Sequence, residues 1–507
     1  MNKSISIVDF QVWAVLLVAL VAVSGAAAVE RQVRELTLNE CIGVALENNL
    51  DLKIETLTRQ MTGRDVEVAR GGYDPNLTVS AKRANVKTVG ESAGTASGAL
   101  DVLGSKSESD TWTTSVGGVT ALGGLSYEVG GRMGDSSGHR DGNPFDTSTG
   151  SAGITLTQPL LKGFKTGDAR YRVSLAQKQS AEAAIQQEGR LQAVLAQVEA
   201  TWYSLIQARE SIRVQEDAVR LATQLYEDNR RKVQIGAMSM LDEKQAESQA
   251  ASARADLSSS KRAFTEVQNQ LKALLYADHR SLRGVDIAAV GEMSSAQVEV
   301  DAEISGERAL ETRADLRQAR LALERQGLTV DYQRNQTLPS LDLVGGYGVA
   351  ASREDSYGNV LDQMGSADEP YWNVGVTLSI PLGNRAARAR AVQSLEVADR
   401  MRLQLRQLEE GALVEVDNAV ASVETGFERL EATREARLYA EQALEAEQRK
   451  LDNGKSTSFV VLQLQRALTQ ARNSEIQALA DYNRQMSVLA LAEGSMLERH
   501  GVIIAGE

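Results

Sequence analysis

The sequence predicts a membrane α+β protein in which one strand-and-helix unit occurs twice. Residues 154–160 read ITLTQPL and residues 376–382 read VTLSIPL, so Pro159 and Pro381 match at an offset of 222. Each match ends a strand-like segment and precedes about 70 residues of helical pattern, which in both repeats end at a glycine. A duplicated unit of this kind is typical of a pore or a rod rather than of a catalytic pocket.

The N-terminus has the pattern of a secretory signal peptide. Lys3 precedes an apolar run from Val12 to Val23, and alanines 26–28 supply an A-x-A cleavage site. We expect residues 1–28 to be removed by cleavage after Ala28. The alternative is a membrane anchor, which is disfavoured because the run is shorter than the ~20 residues that a spanning helix needs.

Charge and the reactive residue types exclude several classes of protein. The net charge of −13 argues against a nucleic-acid binder, which would need a basic face. Cys41 is the only cysteine, so no disulfide framework or cysteine zinc cluster is expected. The three histidines are scattered and form no H-E-x-x-H motif. A G-x-G-x-x-A match at 346–351 is followed by a polar loop instead of a helix. We therefore expect no enzyme activity, no metal site and no cofactor.

The first repeat is predicted over residues 29–276. Thr37 followed by Glu40 has the spacing of an N-terminal capping box, and Tyr73-Asp74-Pro75 ends the helix that starts there. The following segment is rich in Gly, Ser and Thr with alternating β-branched residues, which favours strands. The predicted elements are a helix over 37–70, a β-region over 76–161, a long helix over 168–235 and a return helix over 239–276.

The strands of the first β-region are separated by polar loops, predicted over 85–110 and 135–150. The candidate strands are 77–83, 111–119, 124–133 and 151–160. The two middle candidates, within 111–133, either add strands to a barrel or extend a hairpin outward, and the sequence leaves both possibilities open.

The second repeat is predicted over residues 306–494, after an equatorial linker over 277–305 and before a C-terminal tail over 495–507. Two strands, near 341–350 and 371–380, flank a polar loop over 351–369. The predicted elements are a helix over 306–335, a β-region over 340–382, a long helix over 384–453 and a return helix over 456–493.

Residues 374–380 alternate apolar Val374, Val376, Leu378 and Ile380 with Gly, Thr and Ser. Such alternation is typical of a barrel wall with one face toward lipid and the other toward a lumen. Five aromatic residues fall in or beside the strands, where they fit membrane-interface girdles or, alternatively, strand packing: Trp112, Tyr127, Tyr347, Tyr371 and Trp372.

Both long helices carry apolar residues every seven positions, which predicts coiled-coil packing. In the first helix these residues are Leu191, Val198, Leu205, Ile212, Val219, Tyr226 and Val233. The second helix repeats the pattern at Val416, Val423, Leu430, Leu444 and Leu451. Only Arg437 departs from it.

The predicted lengths indicate how the helices are arranged. Each long helix spans about 100 Å at ~1.5 Å per residue. The return helix 239–276 and the helix 306–335 together span about 102 Å, and 456–493 and 37–70 together span about 108 Å, at the same rise. Two short helices stacked beside each long one would make a layer four helices wide, with the linker as a belt. About four strands cannot close a membrane barrel alone, because known single-chain barrels need at least eight. Several copies must therefore share one barrel.

At the level of motifs, the chain resembles the TolC family of outer-membrane efflux proteins, also called outer membrane factors. The resemblance covers about residues 36–494. It rests on the opening LTLNECIGVALENNLDLK, the strand entries Tyr73-Asp74-Pro75 and Leu338-Pro339-Ser340, the two T-L-x-x-P-L exits, and the hairpins VQIGAMSMLDEKQAE and LDNGKSTSFVVLQLQ.

This resemblance implies a homotrimer in outer-membrane lipid, with a β-barrel of about four strands per protomer continuous with a periplasmic α-helical barrel. The implied function is a passive exit duct for efflux or type I secretion, opened at its periplasmic tip by an adaptor protein. The implied energy source is an inner-membrane pump of the RND or ABC type. The alternative is a non-conducting coiled-coil spacer of the periplasm, which the heptads alone would support equally.

The resemblance also implies that the two helix–Gly–helix turns form the tip where the adaptor docks. The corresponding positions are Ile235, Gly236, Ala237, Gly454 and Lys455. The alternative is that both glycines serve only as helix C-caps and contact no partner protein. Family members carry aspartates after the second glycine, but Val460 and Gln463 stand there, which puts an acidic gate in doubt. Asp242 follows the first glycine and fits a weaker acidic ring or an ordinary helix N-terminus.

Overall fold

The computed structural model describes residues 32–88, 105–140, 143–276, 278, 280, 284–354, 357–367 and 369–502. The predicted signal peptide, residues 1–28, lies outside the described residues. The strands are β1 Gln32–Leu36, β2 Asn76–Thr88, β3 Ser105–Val119, β4 Ser126–Arg140, β5 Asn143–Pro159, β6 Val285–Ala289, β7 Ser340–Arg353 and β8 Pro370–Ser379. The helices are α1 Leu38–Asn48, α2 Leu50–Arg70, α3 Asp168–Gln234, α4 Met240–Leu275, α5 Ala302–Thr312, α6 Ala314–Asn335, α7 Tyr357–Ser366, α8 Arg385–Asp452, α9 Ser458–Glu493 and α10 Met496–Arg499.

Two helices that the sequence predicts as continuous are each broken at one residue. The predicted helix 37–70 stops at Asn49, whose side-chain oxygen accepts hydrogen bonds from the backbone of Asp51 and Leu52 and so caps α2. The predicted helix 306–335 starts at residue 302 and is divided at Arg313, whose backbone is extended (ψ 127°). An Asn side chain that bonds to nearby backbone competes with the helix, which explains the first break.

Each break residue also binds the end of the return helix stacked beneath it. Asn49 Nδ2 donates to the carbonyl oxygen of Leu274, near the C-terminus of α4, at 2.9 Å. Arg313 Nη1 donates to the carbonyl oxygen of Ala492, near the C-terminus of α9, at 3.0 Å. The last carbonyls of a helix have no partner within it. The same contact therefore occurs in both repeats and joins two short helices end to end within each repeat. The predicted pairing across the repeats, 239–276 with 306–335 and 456–493 with 37–70, is wrong, because each break residue binds the return helix of its own repeat.

The helices form a layer four helices wide at both levels. Above the belt, α3 packs against α2 and α6, and α6 packs against α8. Below it, α3 packs against α4 and α9, and α9 packs against α8. The seven-residue pattern supplies the contacts, since Val198, Leu205, Val416 and Val423 are buried. Arg437, which departs from the pattern, forms an ion pair with Glu475 of α9.

The belt at mid-height contains more structure than the predicted linker 277–305. Within it β6 pairs in parallel with β1, so Val33 lies opposite Asp286 and Leu36 opposite Ala289. The predicted tail from residue 495 onward includes α10, which packs on α3 and α9.

Within the described residues, the larger β-sheet has six antiparallel strands in the order β2-β3-β4-β5-β7-β8. The expected number of about four strands is therefore wrong. β3 and β4 are hydrogen-bonded between β2 and β5, so the segments within 111–133 belong to the sheet. The strands extend into the predicted polar loops 85–110 and 135–150, because strand pairing satisfies the backbone whatever the side chains. The predicted polar loop 351–369 contains α7. Within the described residues, no helix is both long and apolar enough to cross a membrane.

Candidate duct wall and hairpin tip

One face of the sheet is apolar across all six strands. Residues directly opposite one another in antiparallel strands share a face. One such row crosses the whole sheet and consists of Leu77, Val116, Val129, Ile154, Tyr347 and Trp372. These side chains are solvent-exposed in the single chain. An exposed apolar face of this extent is typical of an interaction with lipid or protein.

Four of the five aromatic residues that the sequence singles out lie on this apolar face. Tyr347 and Trp372 are opposite each other, and Tyr127 is opposite Leu156. Trp112 is opposite Ala81 and Met133. On the same face, the next row of residues away from the helices contains the ion pair of Arg83 and Asp110, at 3.0 Å. The apolar face is therefore bordered by charge just beyond Trp112.

Tyr371 does not fit the girdle expected for it. It is opposite Gly348, so it lies on the other face of the sheet from its neighbour Trp372. Its ring covers Gly348 and Gly153, and a Cβ placed on either glycine would collide with the Tyr371 ring or hydroxyl. The alternation of side chains along a strand puts adjacent aromatics on opposite faces.

The face that carries Tyr371 is polar or lined by small side chains. Opposite pairs on this face include Thr113 with Ser80, Thr155 with Glu128, and Asp342 with Thr377. The sheet therefore separates an apolar side from a side that water can wet.

Among the residues that the structure describes, no strand pairs with the outer edge of β2 or of β8. Nearly every residue of β2 and every residue of β8 is exposed on both faces. An edge of this kind presents a row of free backbone donors and acceptors to another strand. The helical layer is open on the same two sides, at α2 and α4 on one side and at α8 on the other.

The two hairpin turns at the far end of the helices have the same backbone geometry. Gly236 (φ 70°) and Gly454 (φ 68°) both adopt the left-handed conformation. In each turn the residue after the glycine, Ala237 or Lys455, donates its N–H to a carbonyl five residues back, at 2.8 Å. This is a Schellman motif, which satisfies the last carbonyls of a helix. Ile235 precedes the first glycine and its side chain is exposed.

The acidic residue after the first glycine has a structural role. Asp242 accepts hydrogen bonds from the backbone N–H and the hydroxyl of Ser239, while Ser239 caps the Asp242 N–H, which makes a capping box for α4. At the corresponding turn of the second hairpin, Val460 is half-buried and Gln463 is exposed.

A buried polar contact joins the two hairpins near their turns. Ser458 Oγ donates to Asn229 Oδ1 at 3.0 Å, and Asn229 Nδ2 donates to the carbonyl oxygen of Asp242 at 3.3 Å. Both side chains are almost completely buried. This contact is not among the features predicted from the sequence. A signal for it was available, because Asn229 follows Tyr226 of the heptad by three residues, where an apolar residue is usual.

A second buried polar cluster lies at mid-height, between α3 and the C-terminal segment. The carboxylate of Glu199 contacts Arg499 at 3.1 Å, His500 at 3.2 Å and the hydroxyl of Tyr203 at 3.1 Å. Burial by itself raises the pKa of Glu199, but the hydrogen bonds from His500 and Ser487 and the positive charge of Arg499 outweigh it and hold the pKa below its usual value. Burial, followed by the negative charge of Glu199, raises the pKa of Tyr203 to about 12.

Comparison with known proteins agrees with this architecture. The outer membrane efflux protein family matches residues 125–275 and 306–495, which is more than half of the chain. The two matched segments fall on the two repeats, and the break between them falls in the predicted linker. Among curated proteins, the chain is 23% identical to the outer membrane protein TolC of Vibrio cholerae over 367 residues, covering 71% of this chain and 80% of TolC.

Solved structures show the same fold. The outer-membrane channel CmeC of Campylobacter jejuni superposes with a TM-score of 0.65 at 17% identity, over 90% of this chain and 85% of CmeC. The outer membrane protein VceC of Vibrio cholerae gives a TM-score of 0.65 at 17% identity, over 90% of this chain and 96% of VceC. This family and fold are those of outer-membrane channels, which are not enzymes. The duplicated helical hairpins, the six-stranded sheet and these matches together show that the chain belongs to the outer membrane efflux protein family.

Proposed function

We propose that three copies of this chain form a passive exit duct through the outer membrane, with the helices in the periplasm, for a tripartite efflux or type I secretion system. The observation that carries this proposal is the two-faced sheet, apolar on one side and polar on the other. A lumen lined by the polar face would hold water, and the apolar face would contact lipid.

The open sides of the chain support closure by further copies. A stripe of exposed apolar residues runs along α2, at Leu50, Ile54, Leu57, Met61 and Val68. On the opposite side of the layer, α8 exposes Val392, Leu403 and Val414. β2 and β8 are unpaired on the same two sides. A ring of copies would cover both helix stripes and pair both strand edges, which isolated chains leave in water.

We place the entrance at the two hairpin turns. A Cβ placed on Gly236 or Gly454 would meet no described atom within 4 Å, so the outer side of both turns is open to a partner. In this proposal a periplasmic adaptor docks on Ile235, Ala237 and Lys455 and separates the hairpins, and an inner-membrane pump of the RND or ABC type supplies the energy. The chain itself contributes positioning and a path, with no chemical step.

Cross-linking at the tip tests this proposal. Ala237→Cys would be linked between copies by a bis-maleimide in cells, and export measured beside assembly of the trimer. The matched control is Ala421→Cys, an exposed position on α8 far from the turns. We expect linked Ala237→Cys to lose export while linked Ala421→Cys retains it.

The outcome against the proposal is continued export with the tip verifiably linked. Negative-stain microscopy of the purified protein gives an independent result: three-fold tubes with a lumen are expected, whereas solid rods would favour the periplasmic spacer.

A further inference from the structure

The hairpin of β3 and β4 sits in the middle of the sheet, between the strand that enters it and the strand that leads to α3. β3 pairs with β2 from Asn76 opposite Gly117 to Thr88 opposite Ser105. β4 pairs with β5 from Ser126 opposite Thr157 to Arg140 opposite Asn143. The hairpin is therefore as tall as its neighbours and is not an appendage at their outer end.

The turn of this hairpin is attached to the helix-facing end of the sheet. Residues 120–125 close the turn with a bond of 2.7 Å from Thr120 N–H to the carbonyl oxygen of Leu125. Gln158 Nε2 donates to the carbonyl oxygen of Gly123 at 3.0 Å, and Gly124 lies against Pro159 and the carbonyl of Gly163. These contacts hold the turn beside the loop that begins α3.

The hairpin has the same two faces as the rest of the sheet. Val116 and Val129 lie in the apolar row between Leu77 and Ile154. Thr113 and Arg132 point to the polar face, where Arg132 is opposite Ser151. A β3–β4 hairpin that extended beyond the membrane would have water on both faces and would not need this continuous apolar row.

The directions of the edge strands allow the sheet to continue into another copy. β2 runs away from the helices and β8 runs toward them, so β2 of one copy is antiparallel to β8 of the next. The apolar sides also match, because Leu77 and Val79 share their face with Val376 and Leu378.

We infer that the β3–β4 hairpin is part of the membrane wall, so that a closed trimer has a barrel of eighteen strands above a tube of twelve helices. This inference rests on the trimeric duct of the proposed function. Barrel diameter grows roughly linearly with strand number, so the barrel is about 1.5 times as wide as one of twelve strands. Barrels of 16–18 strands leave an aqueous channel. A barrel of this size therefore leaves a water-filled passage through the membrane.

Cysteine labelling of the hairpin tests its place in the wall. Val129→Cys and Thr113→Cys probe the two faces of the hairpin, and Ile154→Cys and Thr155→Cys probe the same faces on β5. The native Cys41 gives no background, because it is fully buried and burial raises its pKa to about 12. With a water-soluble maleimide on intact cells, we expect the two threonine positions to react at least tenfold faster than Val129→Cys and Ile154→Cys.

Two other outcomes are distinguishable. If Val129→Cys reacts as fast as Thr113→Cys while Ile154→Cys stays protected, the hairpin lies outside the membrane and the inference fails, although the duct stands. If Ile154→Cys also reacts as fast as Thr155→Cys, the sheet is not in lipid, and both the inference and the proposed duct fail.

A deletion changes the predicted width directly. Replacing residues 89–142 with Asn-Gly joins β2 to β5 and leaves four strands per chain. The control replaces residues 89–104 with Asn-Gly, which connects Thr88 to the opposite Ser105 and keeps six. The measurement is the largest diameter of a polymer that can enter the channel from the barrel side in a planar bilayer. We expect this limit for the four-strand variant to be about two-thirds of the limit for the six-strand control. Equal limits for two assembled channels would overturn the inference. If the shorter chain does not assemble, the cysteine labelling described above is the test of the inference.

Discussion

Ser458 and Asn229 form a hydrogen bond of 3.0 Å that connects the two hairpins of one chain close to their turns. Asn229 belongs to the long helix of the first repeat, and Ser458 begins the return helix of the second. Asn229 also binds the carbonyl of Asp242 in the first return helix. A single buried amide thus holds three of the four helices that meet at the tip.

Ser458→Ala is expected to make the tip open more often. The change removes the donor to Asn229 Oδ1, and a buried acceptor without a partner costs about 1–3 kcal/mol while the hairpins remain together. Separation of the hairpins would expose Asn229 to water and relieve that cost. Single-channel recording measures the open probability. Ser456→Ala is the matched control, since the Ser456 hydroxyl binds Glu447 within its own hairpin. An unchanged open probability in Ser458→Ala would contradict this role.

Gly236→Ala and Gly327→Ala are expected to shift stability in opposite directions. Neither position has an atom near enough to obstruct a methyl group. Gly236 has a φ of 70°, where a side chain costs roughly 1–2 kcal/mol, whereas Gly327 lies inside α6, where Ala is favoured by about 1 kcal/mol. The melting temperature should fall in the first variant and rise in the second. A melting temperature that does not fall in Gly236→Ala would contradict the cost assigned to its left-handed backbone.

Glu199→Gln should reduce stability at neutral pH and much less in acid. The folded-state pKa of Glu199 lies below the ordinary value of 4.5, so its contribution is complete above that pH and is lost as pH falls through the folded pKa. At pH 7 the loss of a charge-assisted contact to Arg499 is expected to cost about 1–3 kcal/mol.

The measurement is the difference in melting temperature between this variant and the natural chain from pH 7 to pH 3.5. That difference should shrink on acidification. Glu67→Gln, an exposed change in α2, serves as the control. A difference that stays constant with pH would show that the Glu199 carboxylate carries no such linkage.

Val376→Lys is expected to impair insertion of the protein, and Thr377→Lys is not. The two residues are adjacent in β8 but lie on opposite faces of the sheet. Lys on a lipid-facing position costs about 2–4 kcal/mol at the middle of the membrane, whereas a lumen position contacts water. The amount of heat-modifiable trimer in outer membranes measures the effect. Equal yields of the two variants would show that the apolar face does not meet lipid.

Local sequence patterns were sufficient for the long helices. In the structure, α3 and α8 each end one residue before the predicted end. The prediction is this close because the heptads and the terminal glycines are local signals that act over a few residues. The strand-and-helix duplication is equally visible in the sequence. The number of strands is not visible in the sequence, because Ser-rich, charged stretches such as residues 105–110 have the composition of a loop. They become strand only by pairing with β2 and β4.

The sequence by itself determined the repeat, the paired hairpins and the alternation of β8, because each of these depends on the spacing of residues within one segment. Only the tertiary structure decided that Asn49 and Arg313 break their helices where the return helices end, that Tyr371 faces away from Trp372 across the sheet, and that Asn229 meets Ser458. Those features depend on partners more than a hundred residues away or on register between strands. A buried polar group takes the partner that the fold brings to it, and no local pattern specifies that partner.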